Sequence, residues 1–420
     1  MKLKFTLDNV LFLALLMLFG SSPIAYLLGG VFKWIGLVGG FLLIVYVAFN
    51  KAIRSRRLGA CIPFIAVSTF YFFLLEGLGF LNNHYSTRSV QGIVFSVVVF
   101  ALFISGYLIA QSKSTLSSMK TSILEVVFSV LFIVSSIKYI EYVALLNFQV
   151  QGRLLDGGDA GNPVGIAYQF SILLIIFLYL SVKQSNILHR LVFLIAAISA
   201  LLVIMTTESR GAIVALSLGS GLVFFAGISN GSLMSILRAK KNTIKNIIVF
   251  VLGGLVSFVG YSLYSANYVL LEKYMAVYKR FQNLYFMASG VGGDRSAQNR
   301  LDIYASFLNR MSDWIILGDR DLSGYPHNQF LEIMCRWGLL GIPLLIASIY
   351  AFSRLVLIIF SKKFKTGELW FMSLLFAFSY IQSQTSLSLD INRGLFLSMG
   401  FFLGYKSILS SNLLRKYTFR

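Results

Sequence analysis

The sequence has little charge, little cysteine and little histidine. Asp, Glu, Lys and Arg make up 12% of its 420 residues, half of the roughly 25% usual for a soluble domain. With 57% hydrophobic residues and a mean hydropathy of +0.79, this scarcity excludes a soluble globular protein. It also excludes a soluble nucleic-acid binder, which a formal charge of +20 and a pI near 9.9 would otherwise suggest. Disorder is excluded because high net charge unfolds a chain only when hydrophobicity is low. Two cysteines, Cys61 and Cys335, lie in or beside apolar stretches and form no disulfide framework. The three histidines, His84, His189 and His327, join no cluster with zinc spacing, and no acidic repeat suggests a calcium loop. The expectation is chemistry without metal or cofactor.

What the sequence has is long apolar runs. A bilayer-spanning helix needs about 20 such residues. About twelve runs qualify, near 9–29, 31–49, 58–80, 91–111, 120–145, 164–183, 188–206, 211–229, 245–265, 338–360, 368–388 and 392–411. The expected fold is therefore an all-α polytopic membrane protein with about twelve transmembrane helices. Residues 1–265 would hold nine helices and a smaller external loop at 146–163. Residues 266–337 would form one large external loop, and 338–420 the last three helices and a tail. The first run follows Met1-Lys2-Leu3-Lys4 without a small-residue cleavage site and reads as a retained anchor.

Orientation follows the distribution of Lys and Arg. With a cytoplasmic N-terminus, one side receives 22 basic residues, from Lys2 and Lys4 through Lys51, Arg57, Lys183, Arg190 and Arg354 to Arg420. Few acids accompany them. The other side receives twelve, nearly balanced by acids, and ten of those twelve are Arg. Both termini are expected in the cytoplasm. The surplus on the first side accounts for topology, and the preference for Arg on the second asks for a chemical reason.

Three constellations lie on that second side. Thr206-Thr207-Glu208-Ser209-Arg210-Gly211 leaves a few residues for the turn between two runs, which holds Arg210 at headgroup depth. A guanidinium there suits phosphate, which it grips with a bidentate fork; equally, it suits an Arg snorkelling at a helix end beside Glu208. Gly324-Tyr325-Pro326-His327-Asn328-Gln329-Phe330-Leu331-Glu332 lies where the chain re-enters the membrane. Its imidazole, with an unperturbed pKa of about 6.5, is a natural general base, and Asn328 or Glu332 would orient it. A histidine capping a helix is the structural alternative. Gly338 and Gly341 beyond it read as close helix packing. The third group is basic: Arg295, Arg300, Arg310 and Arg320, with Arg153 in the smaller loop. Salt bridges to Asp313 and Asp319 suit Arg310 and Arg320, whereas Arg153 and Arg300 are better placed for a ligand anion. Leu301, Tyr304, Phe307, Leu308, Met311, Trp314 and Ile315 recur at helical spacing, which predicts an amphipathic helix lying at the interface or packed on the bundle.

Ser209-Arg210-Gly211 at the start of a span, Arg300 leading a loop helix, and His327-Asn328 separated by nine residues from Gly338-Leu339-Leu340-Gly341 together resemble the bacterial O-antigen ligase/polymerase family. The motifs cover about 200–345, and span count and loop placement extend the likeness to the whole chain. The resemblance implies a GT-C-like glycosyltransferase of the bacterial inner membrane with its active site facing the periplasm. Such an enzyme moves a glycan from undecaprenyl pyrophosphate to an acceptor hydroxyl, without metal or nucleotide sugar. It implies catalytic roles for His327 as base and for Arg210 and Arg300 on the pyrophosphate. Arg153, Ser209, Tyr325, Asn328, Glu332 and Arg295 would contact substrate. Tyr325-Pro326-His327-Asn328 with Leu331-Glu332 is more like the polymerases, which extend a lipid-linked repeat unit, than the ligases, which deliver the polymer to lipid A–core. The implied partners are lipid-linked glycans, the bilayer, and a chain-length regulator and flippase of the same pathway; nucleic acid is not among them. A lipid-linked oligosaccharide flippase is the competing reading from another class.

Overall fold

A computed structural model of the chain describes residues 7–82, 90–111, 123–145, 163–184, 186–207, 209–229, 295–319, 326–361, 367–385 and 387–405, with five single positions between 275 and 283. Among the described residues up to Ser229 there are eight helices: α1 (Leu7–Leu28), α2 (Gly30–Arg54), α3 (Leu58–Leu81), α4 (Val90–Gln111), α5 (Ile123–Leu145), α6 (Pro163–Lys183), α7 (Ile187–Thr206) and α8 (Arg210–Ser229). Then come α9 (Arg295–Asn309), α10 (Met311–Trp314), α11 (Gln329–Trp337), α12 (Ile342–Ile359), α13 (Gly367–Ser383) and α14 (Arg393–Gly404). No strand occurs among the described residues. Eight of the described helical stretches, with α11 and α12 counted as one, are long and apolar enough to cross a bilayer. The chain is an all-helical, multi-pass membrane protein. The run at 245–265, residues 146–162 of the smaller loop expected at 146–163, and most of 266–294 with 320–325 of the larger loop lie outside the described residues.

The last three expected spans differ in their boundaries, for local reasons. The run near 338–360 starts as a helix only at Ile342. Gly338 has φ 53° and closes α11, a short 3-10 turn covers Gly338–Gly341, and Pro343 sits in the first turn of α12, where proline's missing N–H costs nothing. The run near 368–388 leaves the helix after Ser383. Its hydroxyls turn back on the backbone, Ser383 to the Tyr380 carbonyl and Thr385 to the Gln382 carbonyl, and such bonds compete with helix continuation. Asn392 then caps α14 by accepting from the Leu395 N–H at 3.2 Å.

Helix α14 is the axis of the bundle, with eleven of its twelve residues buried. It lies against α4 so closely that a Cβ on Gly106 would stand 1.9 Å from the Leu397 carbonyl oxygen, and one on Gly400 1.9 Å from that of Phe103. Contact at this range needs glycine, and it is how helices gain dispersion energy where lipid offers no hydrophobic drive to associate. Gly400 sits between Phe103 and Tyr107 of α4, with Gly404 beyond it against Tyr107. Counting back in parallel, Arg393 is level with a residue near 98, about 12 Å below the start of α4 at 1.5 Å per residue. The turn joining α13 to α14 is therefore sunk into the bundle. Irregular backbone survives at such depth only when protein satisfies it.

At the opposite pole Asp8 and Lys51 form a buried ion pair at 2.6 Å. Nearby Arg57 donates to Gln111 at 3.5 Å, and Gln111 to the Gly404 carbonyl at 2.8 Å. These contacts tie α1, α2, α4 and α14 together at one end and leave the sunken turn at the other.

Candidate functional site

Helix α11 is polar on the face that meets the bundle. Asn328 opens it, its side-chain oxygen accepting from the N–H groups of Phe330 and Leu331 at 2.9 and 3.2 Å. This N-cap satisfies donors that no preceding turn can reach. The Asn328 amide donates to Gln384 at 3.1 Å. Gln329, 1% exposed, donates to Ser348 of α12 at 2.9 Å and accepts from Ser383 and Gln384 at 2.7 and 3.2 Å. One turn on, Glu332 is fully buried. Its carboxylate pairs with Arg336 at 2.6 Å and accepts from the Ser388 hydroxyl at 3.0 Å and the Leu389 N–H at 3.1 Å. Arg336 also donates to Ser388 at 3.3 Å and stacks over Trp337. The carboxylate thus does two jobs, neutralising a buried guanidinium and satisfying backbone of the sunken turn.

His327 stands immediately before this helix. Its φ is 51°, and among the described residues it shares a positive φ with one other non-glycine, Arg56. That conformation costs a side-chain-bearing residue roughly 1–2 kcal/mol and persists because its neighbours fix it: Pro326 is buried on one side, and the Asn328 lattice holds the other. Tyr304 of α9 reaches the His327 carbonyl with its hydroxyl at 3.5 Å. Burial raises the Tyr304 phenol above its usual pKa, while the charge of Arg300, one turn back, draws it down again. Arg300, Tyr304 and His327 therefore share one neighbourhood.

The amphipathic helix expected around 301–315 is present as α9 and α10, and it packs on the bundle. Phe307 and Trp314 are buried with Cys335 of α11, and the Trp314 indole donates to the Phe307 carbonyl at 2.8 Å. Arg310 bridges Asp319 at 3.5 Å. Gly338 lets the following segment close in: a Cβ there would meet the Ile316 carbonyl at 2.4 Å, and the Leu339 N–H donates to that carbonyl at 3.1 Å. Gly341 packs against Ile333 of α11, so the Gly-x-x-Gly pair serves the junction between α11 and α12.

Arg210 is the first residue of α8. Helix α8 runs antiparallel to α13, with Phe224 edge-on to Trp370 and Gly219 against Ala377 and Phe378. That register sets the start of α8, where Arg210 stands, toward the Ser383 end of α13. Ser209 is buried, its N–H reaching the Thr207 hydroxyl at 3.4 Å and its carbonyl accepting from Ile213. Asn328 and Glu332 thus meet the end of α13 and the turn after it, His327 precedes them with Arg300 one turn from its Tyr304 neighbour, and Ser209 and Arg210 begin the helix that runs beside α13. Arg295 opens α9, and its side chain lies outside the description, as do Arg153, Tyr325 and Glu208. Gln329, Gln384 and Ser388 are residues that sequence reasoning missed. Hidden in or beside an apolar run, Gln384 and Ser388 carried one signal, a polar cluster at 382–388 where a membrane span should be apolar. Among the described residues no group of three His, Cys, Asp or Glu is placed to hold a metal ion. What the arrangement offers is an imidazole on a constrained backbone, the Arg300 guanidinium close enough to act on Tyr304, and a network of amide and hydroxyl groups. Comparison with protein-family models, curated proteins and solved structures finds no match for this chain.

Proposed function

We propose that the protein is a polymerase of O-antigen or a related surface polysaccharide, a glycosyltransferase of the bacterial inner membrane working on the periplasmic face. The observation that carries this reading is the left-handed backbone of His327, whose carbonyl meets the Tyr304 hydroxyl one turn from Arg300 and whose neighbour Asn328 bonds Gln384 after α13. Strained backbone clusters at functional sites because it fixes a side chain where packing alone would not. The charge sorting of the sequence, with Arg favoured over Lys on this side, supports twelve spans, a periplasmic site and cytoplasmic termini.

In this reaction His327 takes the proton of the acceptor sugar hydroxyl as its oxygen attacks the anomeric carbon of the donor glycan. The bond from that carbon to the pyrophosphate oxygen breaks, and its electron pair leaves with undecaprenyl pyrophosphate. Arg210 and Arg300 stabilise the departing charge, the type of contribution that is usually the largest in such catalysis. Direct displacement inverts the anomeric centre. The Glu332 carboxylate, committed to Arg336 and the Leu389 N–H, is not offered as a nucleophile.

The deciding experiment supplies purified protein in liposomes with lipid-linked repeat units, with and without lipid A–core. Polymer on the lipid-linked units is expected in both. Glycan appearing only on lipid A–core would make the protein a ligase, and movement of units across the bilayer without new glycosidic bonds would make it a flippase.

A further inference from the structure

Beneath the candidate site lies an apolar cavity of about 460 Å³, walled by α3, α4 and α12 and floored by α14. It runs along α3 from Glu76 to Phe64, about 18 Å at helical rise. Its upper end is formed by Trp337 and Leu389, the residue under the Arg336 guanidinium and the one whose N–H is held by Glu332.

Helix α3 is an unusual wall. Of its 24 residues Cys61, Leu75 and Gly79 are buried. It meets α4 through stacked rings, Phe72 on Phe100 at 4.5 Å and Phe64 on Tyr107 of α4 at 3.7 Å. Midway along it Tyr71 donates to the Leu340 carbonyl, and at its C-cap Asn82 donates to the Leu317 carbonyl, each at 2.6 Å. The helix is propped against the bundle and stands off from it. A dry apolar gap forfeits the dispersion contacts of its lining, and water does not enter where polar partners are few. The surface around the mouth is the lipid-facing surface itself, with Val67 and Phe70 68% and 72% exposed. Hydrocarbon from the membrane is the natural filling.

We propose that this groove holds the polyprenyl chain of the acceptor, the lipid-linked repeat unit whose sugar is extended. The proposal rests on the polymerase reading. The volume suits about fifteen water-sized groups, or some three isoprene units. A methyl-branched chain with fixed double bonds loses less freedom on ordering than a saturated acyl chain, and rigid aromatic walls suit it. Continuity with the site selects the occupant, because the groove ends under the turn that carries Ser388 and Leu389. No residue of α8 or α13 lines it, so a lipid here approaches that turn from a different face than a pyrophosphate on Arg210. Two lipid substrates then meet without sharing a tail site.

The test uses full-length protein in nanodiscs of phosphatidylethanolamine and phosphatidylglycerol, with undecaprenyl phosphate bearing a diazirine at the far end of its chain. Cross-links are expected on peptides of α3 and α12. Ala347→Trp and, independently on the loosely packed α3, Ser68→Trp should reduce them by about tenfold, while Ile349→Trp on the exposed face and Arg210→Ala should leave them unchanged. Unlabelled undecaprenyl phosphate should compete where an equal excess of phosphatidylglycerol does not. Equal competition by phosphatidylglycerol, or labelling spread evenly over the exposed helices, would overturn the site. Loss of labelling in Arg210→Ala would overturn its assignment to the acceptor. Labelling that obeys these expectations in a protein that never joins glycans would end the polymerase reading and leave a polyprenyl site standing.

Discussion

His327 meets two opposed demands: its backbone conformation favours glycine, and its proposed chemistry needs an imidazole. The two separate by mutation. His327→Gly removes the Cβ that a φ of 51° disfavours, and melting of the purified protein should stay equal or rise by up to about 1 kcal/mol. Polymer should vanish in that variant and in His327→Ala, with single-unit glycolipids left intact. Normal-length chains from either would remove the base assignment. Arg210 makes a different prediction. Arg210→Lys keeps the charge and loses the bidentate fork, so transfer should fall by about two orders of magnitude, close to the 2.7–4 kcal/mol typical of losing one oxyanion-type contact. Wild-type turnover would make Arg210 an anchor at a helix end. Glu332 is structural on its own contacts. Glu332→Gln leaves the Arg336 guanidinium buried without its countercharge and should destabilise by about 3–5 kcal/mol. Adding Arg336→Met to Glu332→Leu should recover more than half of that loss, read as melting temperature in detergent.

Helix α11 shows how far the sequence goes and where it stops. The amphipathic α9 and the helices from α1 to α8 follow from period and run length, which are local properties. The positions of Arg210, Arg300 and His327 along the chain were legible too, because a basic or imidazole side chain at the edge of an apolar run needs explaining. The sunken turn was not legible: Gln384, Leu387 and Ser388 read as the end of a span, and the polar Gln384 and Ser388 find their partners on α11, more than fifty residues away. Burial of that kind is a tertiary fact. So is the role of Gly338, which spacing presents as one half of a helix-packing pair. Its positive φ and its approach to Ile316 predict that Gly338→Ala costs about 1–3 kcal/mol, with limited proteolysis then cutting within 295–319 as α9 and α10 lift from α11. Undiminished protection there would show that the Phe307–Trp314–Cys335 cluster holds the segment unaided.

Across the whole molecule charge and polarity divide between two poles. The end with Asp8, Lys51 and Arg57 is expected in the cytoplasm and the end with α9 outside. A single cysteine in place of exposed Leu308 should react with an impermeant maleimide on intact cells whose outer membrane has been opened. One in place of exposed Arg54 should react only after the inner membrane is broken. The buried native thiols Cys61 and Cys335 provide a low background, and the reverse pattern would invert the topology and the proposed face of action with it. The depth of the turn before α14 has a further meaning for an enzyme of this type. An activated glycan has two possible fates, transfer to a sugar or loss to water, and water is by far the more abundant nucleophile. On that proposal, a reaction centre recessed below the rim of its helices and floored by hydrocarbon would restrict that competitor to what the acceptor does not displace. On the proposed polymerase reading, the shortness of α14 would serve fidelity, setting how many repeat units are joined for each one wasted.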